Sequence, residues 1–175
     1  MPKSIEDTLQ ELDKWYNELS GGTERPKLLS KLATMEYCGW LELYLDGLIE
    51  RIGRHCGLSM ELVQTKVTNP NYGFSYCDHL RPMIAKIIGE IGILKFENAI
   101  ETKQPGFLDR LKSELGSLWK DRGLLAHSNL SGPVKQQVTI NAPSWAINRQ
   151  RMMAKTFNKF ESELIKVLNV KAPIS

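Results

Sequence analysis

Histidine and cysteine are the side chains of this sequence with the widest range of metal and proton-transfer chemistry, and there are three of each. His55 directly precedes Cys56, and one residue separates Cys77 from His79. Structural zinc ligands usually come in pairs with about two to four residues between them, so that both side chains can turn toward one ion. Neither pair has that spacing, and no Gly-rich phosphate loop or nucleophile elbow occurs. The sequence therefore predicts no metal site and no cofactor.

The remaining histidine, His127, follows Arg122 at a distance of five residues. Arg122 comes four residues after Leu118 and three after Trp119, so a continuing helix would place its charge on an otherwise apolar face. Such a charge is costly unless an anionic group meets it. Residues five apart on a regular helix point about 140° away from each other. The pair can converge only through a bend, for which Gly123 is a suitable place, or through a second copy of the chain.

The segment from Arg122 to His127 reads Arg-Gly-Leu-Leu-Ala-His and resembles the R-x4-H signature of the HEPN (higher eukaryotes and prokaryotes nucleotide-binding) superfamily. The apolar segment Trp40 to Leu45, with Glu42 inside it, is similar to the second helix of that family. The resemblance covers most of residues 5 to 170. It implies an all-α fold and a metal-independent endoribonuclease, active as a homodimer in which Arg122 and His127 of both chains line one cleft.

The same resemblance implies a biological setting and shows two departures. Many relatives are toxins or antiviral-defence effectors, which implies RNA as substrate and an antitoxin or a defence complex as a further partner. Gly123 stands where the family often has a polar residue such as asparagine. One branch has a tyrosine two positions after the histidine, whereas Ser128 and Asn129 follow here, so regulation by tyrosine modification is not predicted.

RNA cleavage by such a pair is consistent with general acid–base chemistry. RNA carries its own nucleophile, the 2′-hydroxyl, and needs a base for its proton, a donor to the departing 5′-oxygen and positive charge near the phosphorane. His127 is the predicted proton-transfer group, because imidazole titrates near neutral pH. Arg122 would hold the non-bridging oxygens through its fork of donors. The expected products are a 2′,3′-cyclic phosphate and a 5′-hydroxyl, and DNA should not be cut.

A second candidate feature lies on the last predicted helix, where Arg151, Lys155 and Lys159 recur at intervals of four. From residue 148 to the end, six side chains are positive and two are negative, an excess larger than the +3 of the whole chain. We predict these three residues as contacts to an RNA backbone. The alternative is a solvated helix face opposite the apolar stripe that contains Phe157 and Phe160.

Hydrophobic residues recur at helical spacing through nearly all of the chain, which predicts an all-α, up-and-down bundle of about five helices. The first three predicted helices cover about 5–19, 27–54 and 81–100, with a short helical turn over 60–66 and a loop over 68–73. The fourth carries Phe107 or Leu108 to Trp119 and runs into 121–127, and the last follows Pro143-Ser144 and ends near 170. In the third helix one face is expected to hold Ile84, Ile87, Ile88, Ile91 and Leu94. Residues 134–140 alternate between apolar and polar side chains and predict one short strand or extended arm.

Length and charge set the remaining expectations. A chain of 175 residues can bury one core, so we predict a single domain over 1–175. No stretch approaches the roughly 20 apolar residues of a membrane span, and the acidic start does not resemble a signal peptide. Three cysteines without C-x-x-C spacing fit a reducing compartment. We therefore expect a cytoplasmic protein with no membrane partner.

Two other functions stay open at this level. The same fold could be a catalytically weak module that binds RNA, a nucleotide or a protein. The chain could also be a structural or regulatory helical protein in which the spacing of Arg122 and His127 is coincidental. In that case Arg122 would bind carbonyl groups or a carboxylate such as Asp121 or Glu42 at a helix end.

Overall fold

A computed structural model of the chain describes residues 4–19, 24–127 and 141–169. Of these residues 88% are helical, and they contain no strand. The prediction of an all-α helical bundle is confirmed, with six α-helices in the described ranges instead of about five. The strand predicted at 134–140 lies outside the described residues. None of the described helices is long and apolar enough to cross a membrane.

The helices follow the predicted order closely. They are α1 (Ile5–Glu18), α2 (Glu24–His55), α3 (Met60–Val63), α4 (Arg81–Lys103), α5 (Phe107–His127) and α6 (Pro143–Asn169). The additional helix is the short α3, which was predicted only as a helical turn. Two π-helical turns, Gln64–Thr68 and Tyr76–Leu80, lie between α3 and α4. The predicted loop over 68–73 therefore overlaps the first of these turns at one residue, Thr68.

The chain divides into two compact units. The first combines the described parts of Met1–Leu41 and Leu118–Ala154, and the second combines those of Glu42–Ser117 and Lys155–Ser175. Apolar side chains from α1, α2, α5 and α6 form the core of the first unit, among them Leu9, Leu12, Tyr37, Leu41, Leu118, Leu125 and Met153. The second unit has a core rich in phenylalanine, in which the rings of Phe96 and Phe160 meet edge to face at 4.7 Å.

The helix α4 bends at Gly89, whose backbone is not helical (φ 75°, ψ 162°). The prediction of one continuous apolar face is therefore wrong beyond this residue, because the bend turns the second part of the helix. Ile84 is fully buried, whereas Ile91 and Leu94 are 72% and 50% exposed. After the bend the buried residues are Ile93, Phe96 and Ile100.

Arg81 joins the two parts of α4 across this bend. Its guanidinium pairs with the carboxylates of Glu90 and Glu97, each at 3.0 Å. Glu97 also accepts a hydrogen bond of 2.9 Å from the hydroxyl of Tyr76. Burial, followed by the charge of Glu97, raises the pKa of Tyr76, so this hydroxyl stays protonated as a donor. The bend is thus held by a hydrogen-bonded ion-pair network.

The backbone of Gly89 predicts a specific effect of substitution. Its φ and ψ lie in a region that only glycine adopts readily, so Gly89→Ala should lower the free energy of unfolding by about 1–3 kcal/mol. Gly116→Ala is the matched control, because Gly116 lies inside α5 and a Cβ there would meet no atom of the described residues within 4 Å. That variant should be more stable by up to about 1 kcal/mol. Urea unfolding measures the free energy of unfolding of both variants. If the two substitutions changed it equally, the non-helical backbone at Gly89 would be contradicted.

Candidate functional site

The start of α5 is fixed by one carboxylate. Glu101 accepts hydrogen bonds from the backbone N–H groups of Leu108 (2.6 Å) and Gly106 (2.7 Å). These bonds, the one from Leu108 first, hold the pKa of Glu101 below its usual value. Gly106 itself has φ 75°, a conformation that glycine adopts without strain. The helix that carries both predicted catalytic residues thus begins at a charge-assisted cap.

From this cap α5 continues without interruption to His127. Gly123 is not among the glycines with a positive φ, so the bend that could have brought Arg122 and His127 together does not occur there. On a continuous helix the two side chains point about 140° apart, with Cα positions about 7.5 Å apart along the axis. The structure therefore places both residues at one end of one helix but does not bring them together within one chain.

Arg122 lies on the apolar face of α5, as its spacing predicts. Leu118, one turn before it, and Leu125, one turn after it, are 6% and 1% exposed. Arg122 is itself half-buried, and its guanidinium carbon lies 5.1 Å from the centre of the Trp119 ring. The electron-rich face of an indole attracts a cation, so the ring partly compensates for the water that the guanidinium loses. The sequence predicts an anionic group beside Arg122, and in the structure the aromatic ring of Trp119 is one of the groups that contact the charge.

Two further titratable side chains lie in the same part of α5. Asp121 is half-buried, and burial raises the pKa of its carboxyl. His127 is the last residue of α5 and is exposed, so its imidazole is accessible to a substrate or to a second copy of the chain. A held guanidinium and an accessible imidazole are therefore the chemical groups that this end of α5 presents.

The predicted backbone-binding residues all lie on α6 and are all exposed: Arg151, Lys155 and Lys159. In the first unit, the guanidinium of Arg151 forms a hydrogen-bonded ion pair with the carboxylate of Glu6 on α1. Lys155 and Lys159 belong to the second unit. A phosphate that bound Arg151 would have to share or replace its contact with Glu6.

The contact between Trp119 and Arg122 is not among the sequence predictions, in which Trp119 only marks the apolar face of the helix. The signal that could have identified it is the spacing of three residues between an aromatic residue and an arginine, which makes the two neighbours on a helix. The sequence signal shows which residues are neighbours. It does not show that the guanidinium lies over the ring rather than extending into water.

The two histidines considered as metal ligands, His55 and His79, have other contacts. The Nε2 atom of His55 lies 3.0 Å from the amide oxygen of Asn169. The Nδ1 atom of His79 lies 2.9 Å from the hydroxyl of Ser75. In the described ranges, no three or more histidine, cysteine, aspartate or glutamate side chains are grouped so that they could hold a metal ion.

Comparison of the chain with family models, curated proteins and solved structures finds no match. The likeness to HEPN proteins remains a proposal that Arg122, His127 and the all-α fold support.

The contact between Arg122 and Trp119 predicts a measurable coupling. In a double-mutant cycle of Trp119→Leu and Arg122→Gln, the free energies of unfolding should show a favourable interaction of about 0.5–1 kcal/mol. Lys120→Gln is the control partner for Trp119→Leu, because Lys120 is exposed on the same turn of α5 and should not couple to the ring. A coupling near zero for Arg122 would contradict the contact.

The cap at α5 predicts a pH dependence. Because the pKa of Glu101 is lowered in the folded protein, its contribution is fully present above the unfolded pKa of about 4.5 and is lost as the pH falls further. Glu101→Gln should therefore be less stable than the wild type at pH 7, and the difference should shrink at acid pH. The midpoints of urea unfolding of both proteins, determined from pH 7 to acid pH, measure this difference in stability. Glu61→Gln is the control, because Glu61 is exposed on α3 and its stability difference from the wild type should not change with pH in this way. If Glu101→Gln also showed no change with pH, the cap would be contradicted.

Proposed function

We propose that this chain is a metal-independent endoribonuclease of the HEPN type, active as a homodimer in the cytoplasm. The observation that carries the proposal is the setting of Arg122, a guanidinium held half-buried over Trp119 about one and a half turns before the accessible imidazole of His127. A positioned cation stabilises the charge that develops on a phosphorane, and an imidazole can transfer the protons. Positive charge and proton transfer both assist RNA cleavage, and the groups that can supply them lie at one end of α5.

The angle between the two side chains is the reason for proposing a homodimer. Because they diverge by about 140° on α5, one phosphate cannot readily contact both within a single copy. A two-fold arrangement of two copies would bring Arg122 of one copy toward His127 of the other, and the same pairing would repeat on the other side of the axis. The cleft would then contain two guanidinium groups and two imidazoles.

The proposed reaction is a transesterification within the RNA. The 2′-oxygen bonds to phosphorus, and the bond from phosphorus to the 5′-oxygen breaks. In each site one His127 accepts the proton of the 2′-hydroxyl as a base, and the imidazolium then donates a proton to the departing 5′-oxygen. Arg122 holds the non-bridging oxygens in a bidentate manner while negative charge accumulates on them. This leaves a 2′,3′-cyclic phosphate and a 5′-hydroxyl, and DNA resists because it has no 2′-hydroxyl.

The exposed cations of α6 support the proposal because positive side chains attract the phosphates of an RNA strand. We propose that Arg151, Lys155 and Lys159 contact RNA phosphates, in which case binding weakens as salt rises because counterions are released on binding. The role of a toxin or antiviral-defence effector, restrained by an antitoxin or acting in a larger complex, is part of the same proposal. It rests on the resemblance of the segment from Arg122 to His127.

A second candidate function is a binding module without catalysis. The observation in its favour is the divergence of Arg122 and His127 on the continuous α5, since a monomer would hold RNA without assembling the reacting groups. The experiments below separate the two functions, because one measures cleavage and binding in parallel and the other measures the sharing of a site between copies.

The main prediction concerns cleavage of labelled RNA in the presence of EDTA. The wild type should leave cyclic phosphate ends, and His127→Ala and Arg122→Ala should each be slower by about 100-fold or more. Arg54→Ala and His55→Ala are matched controls, because they remove the same groups from exposed positions at the end of α2 and should keep the wild-type rate. Undiminished cutting by the Arg122 and His127 variants would refute the assignment. RNA binding with no cutting by any form would favour the module.

The shared cleft predicts complementation between inactive variants. Arg122→Ala and His127→Ala proteins, mixed and allowed to exchange subunits, should recover up to about a quarter of the wild-type activity, because half of the dimers would be mixed and one of their two sites would be complete. Light scattering should give twice the mass of one chain. A monomeric mass, or no recovery despite demonstrated exchange, would contradict a site that combines one residue from each copy.

A further inference from the structure

The two units differ in the aromatic residues they contain. All four tryptophans of the chain lie in the first unit, and all five phenylalanines lie in the second. The phenylalanines are buried, whereas Trp15 is 47% exposed and Trp40, Trp119 and Trp145 are half-buried. Tryptophan combines a wide apolar ring with a polar N–H group, which suits positions at the boundary between protein and water. The first unit therefore presents flat aromatic surface to solvent.

Trp145, in the first turn of α6, has a fixed orientation. Its ring meets that of Tyr37 edge to face, with centres 6.1 Å apart and planes at 84°. Tyr37 is only 2% exposed, and its ring also stacks on that of Trp40, with centres 6.0 Å apart and planes at 20°. A buried tyrosine thus holds Trp145 against α2, so its half-exposed surface is already ordered before any ligand arrives. An ordered platform reduces the entropy lost on binding.

A cation lies over this ring. The guanidinium carbon of Arg149, one turn along α6, is 5.6 Å from the centre of the Trp145 ring. Asn148 and Arg151, on the neighbouring face of the same helix, are exposed. No acidic residue occurs on α6 before Glu161, although a helix start is where acidic side chains are usually favourable. This end of α6 therefore combines an aromatic plane, two cations and an amide, and the carboxylate that pairs with Arg151 comes from Glu6 on α1.

We propose that Trp145 and Arg149 form a stacking site for one unpaired base of an RNA strand, with Arg151 contacting a neighbouring phosphate. The identity of the ligand as RNA rests on the proposed function. A base can stack on the exposed part of an indole or on the plane of a guanidinium, and here the two planes belong to one assembly. Asn148 can hydrogen-bond to a base edge. Bases inside a duplex are stacked already, so the site selects single-stranded segments.

Binding of a short single-stranded oligonucleotide tests this inference without any need for cleavage. The probe is a 5′-labelled 2′-O-methyl strand of about 12 nucleotides, within the usual range of site sizes, and fluorescence anisotropy gives its Kd. Its blocked 2′-oxygen cannot attack phosphorus. Trp145→Leu and Arg149→Gln should each weaken binding by about tenfold, and Trp145→Phe should retain most of the affinity because it keeps an aromatic plane. Lys95→Gln removes one exposed charge from α4 and should have little effect.

Salt dependence and strandedness separate stacking from simple charge. Arg149→Gln should reduce the slope of log K against log salt by about one unit or less, whereas Trp145→Leu should leave the slope unchanged. The wild type should prefer the single strand over a duplex of the same sequence, and Trp145→Leu should lose that preference. Thermal unfolding of each variant shows whether the loss of the contact with Tyr37 has unfolded the protein. If Trp145→Leu unfolds, Trp145→Phe and Arg149→Gln decide the result.

The outcomes distinguish this inference from the proposed function. If folded Trp145 and Arg149 variants bind the strand as tightly as the wild type, the inference is wrong, and this face remains available for a protein partner. Cleavage by the wild type in the same preparation would then leave the ribonuclease proposal intact. Binding that depends on Trp145, in a protein that cuts no RNA, would instead support the inference and reject the nuclease.

Discussion

A guanidinium on the core-facing side of a helix has to be stabilised where it lies, because it cannot give up its charge. Arg122 is in that position on α5, between two buried leucines, and its guanidinium lies over the ring of Trp119. The electron-rich face of the indole attracts the cation. The helix and the ring both contribute to the position of the charge. The chemistry proposed for this protein uses a guanidinium held in this way.

The regularity of α5 has an equally strong consequence. Had Arg122 and His127 been four residues apart, one chain could have presented both to the same phosphate. At a spacing of five, on a helix that remains continuous through Gly123, the side chains diverge, and a second copy becomes part of any site that uses both. No atom of the described residues lies within 4 Å of the place where a Cβ at position 123 would stand, so the glycine is not required there by close packing among them.

Much of the fold could be predicted from the sequence, because amphipathic spacing determines helices locally. The predicted ends of α1, α2 and α5 lie within a few residues of the observed ones. The bend of α4 could not be predicted in the same way. Gly89 and Gly92 both interrupt an apolar helical pattern, yet only Gly89 leaves the helical conformation. The choice depends on contacts made after folding, such as the ion pairs of Arg81 across the bend. This is why Ile91 is exposed although its spacing indicates a buried residue.

The candidate site shows the same division between local and distant information. The pairs Trp119 with Arg122 and Trp145 with Arg149 are separated by three and four residues, so sequence spacing makes both contacts possible. The contact between Tyr37 and Trp145 joins residues more than a hundred positions apart, and no local pattern indicates it. That distant contact turns an ordinary helical pair into a fixed surface.

RNA supplies its own nucleophile, so a protein that cleaves it needs mainly to position charge, transfer protons and hold the strand. In the first unit, arginines placed on tryptophans supply positive charge at defined positions, and the same tryptophans offer flat surface for bases. One type of side-chain pair can therefore serve both the reaction and the recognition of its substrate.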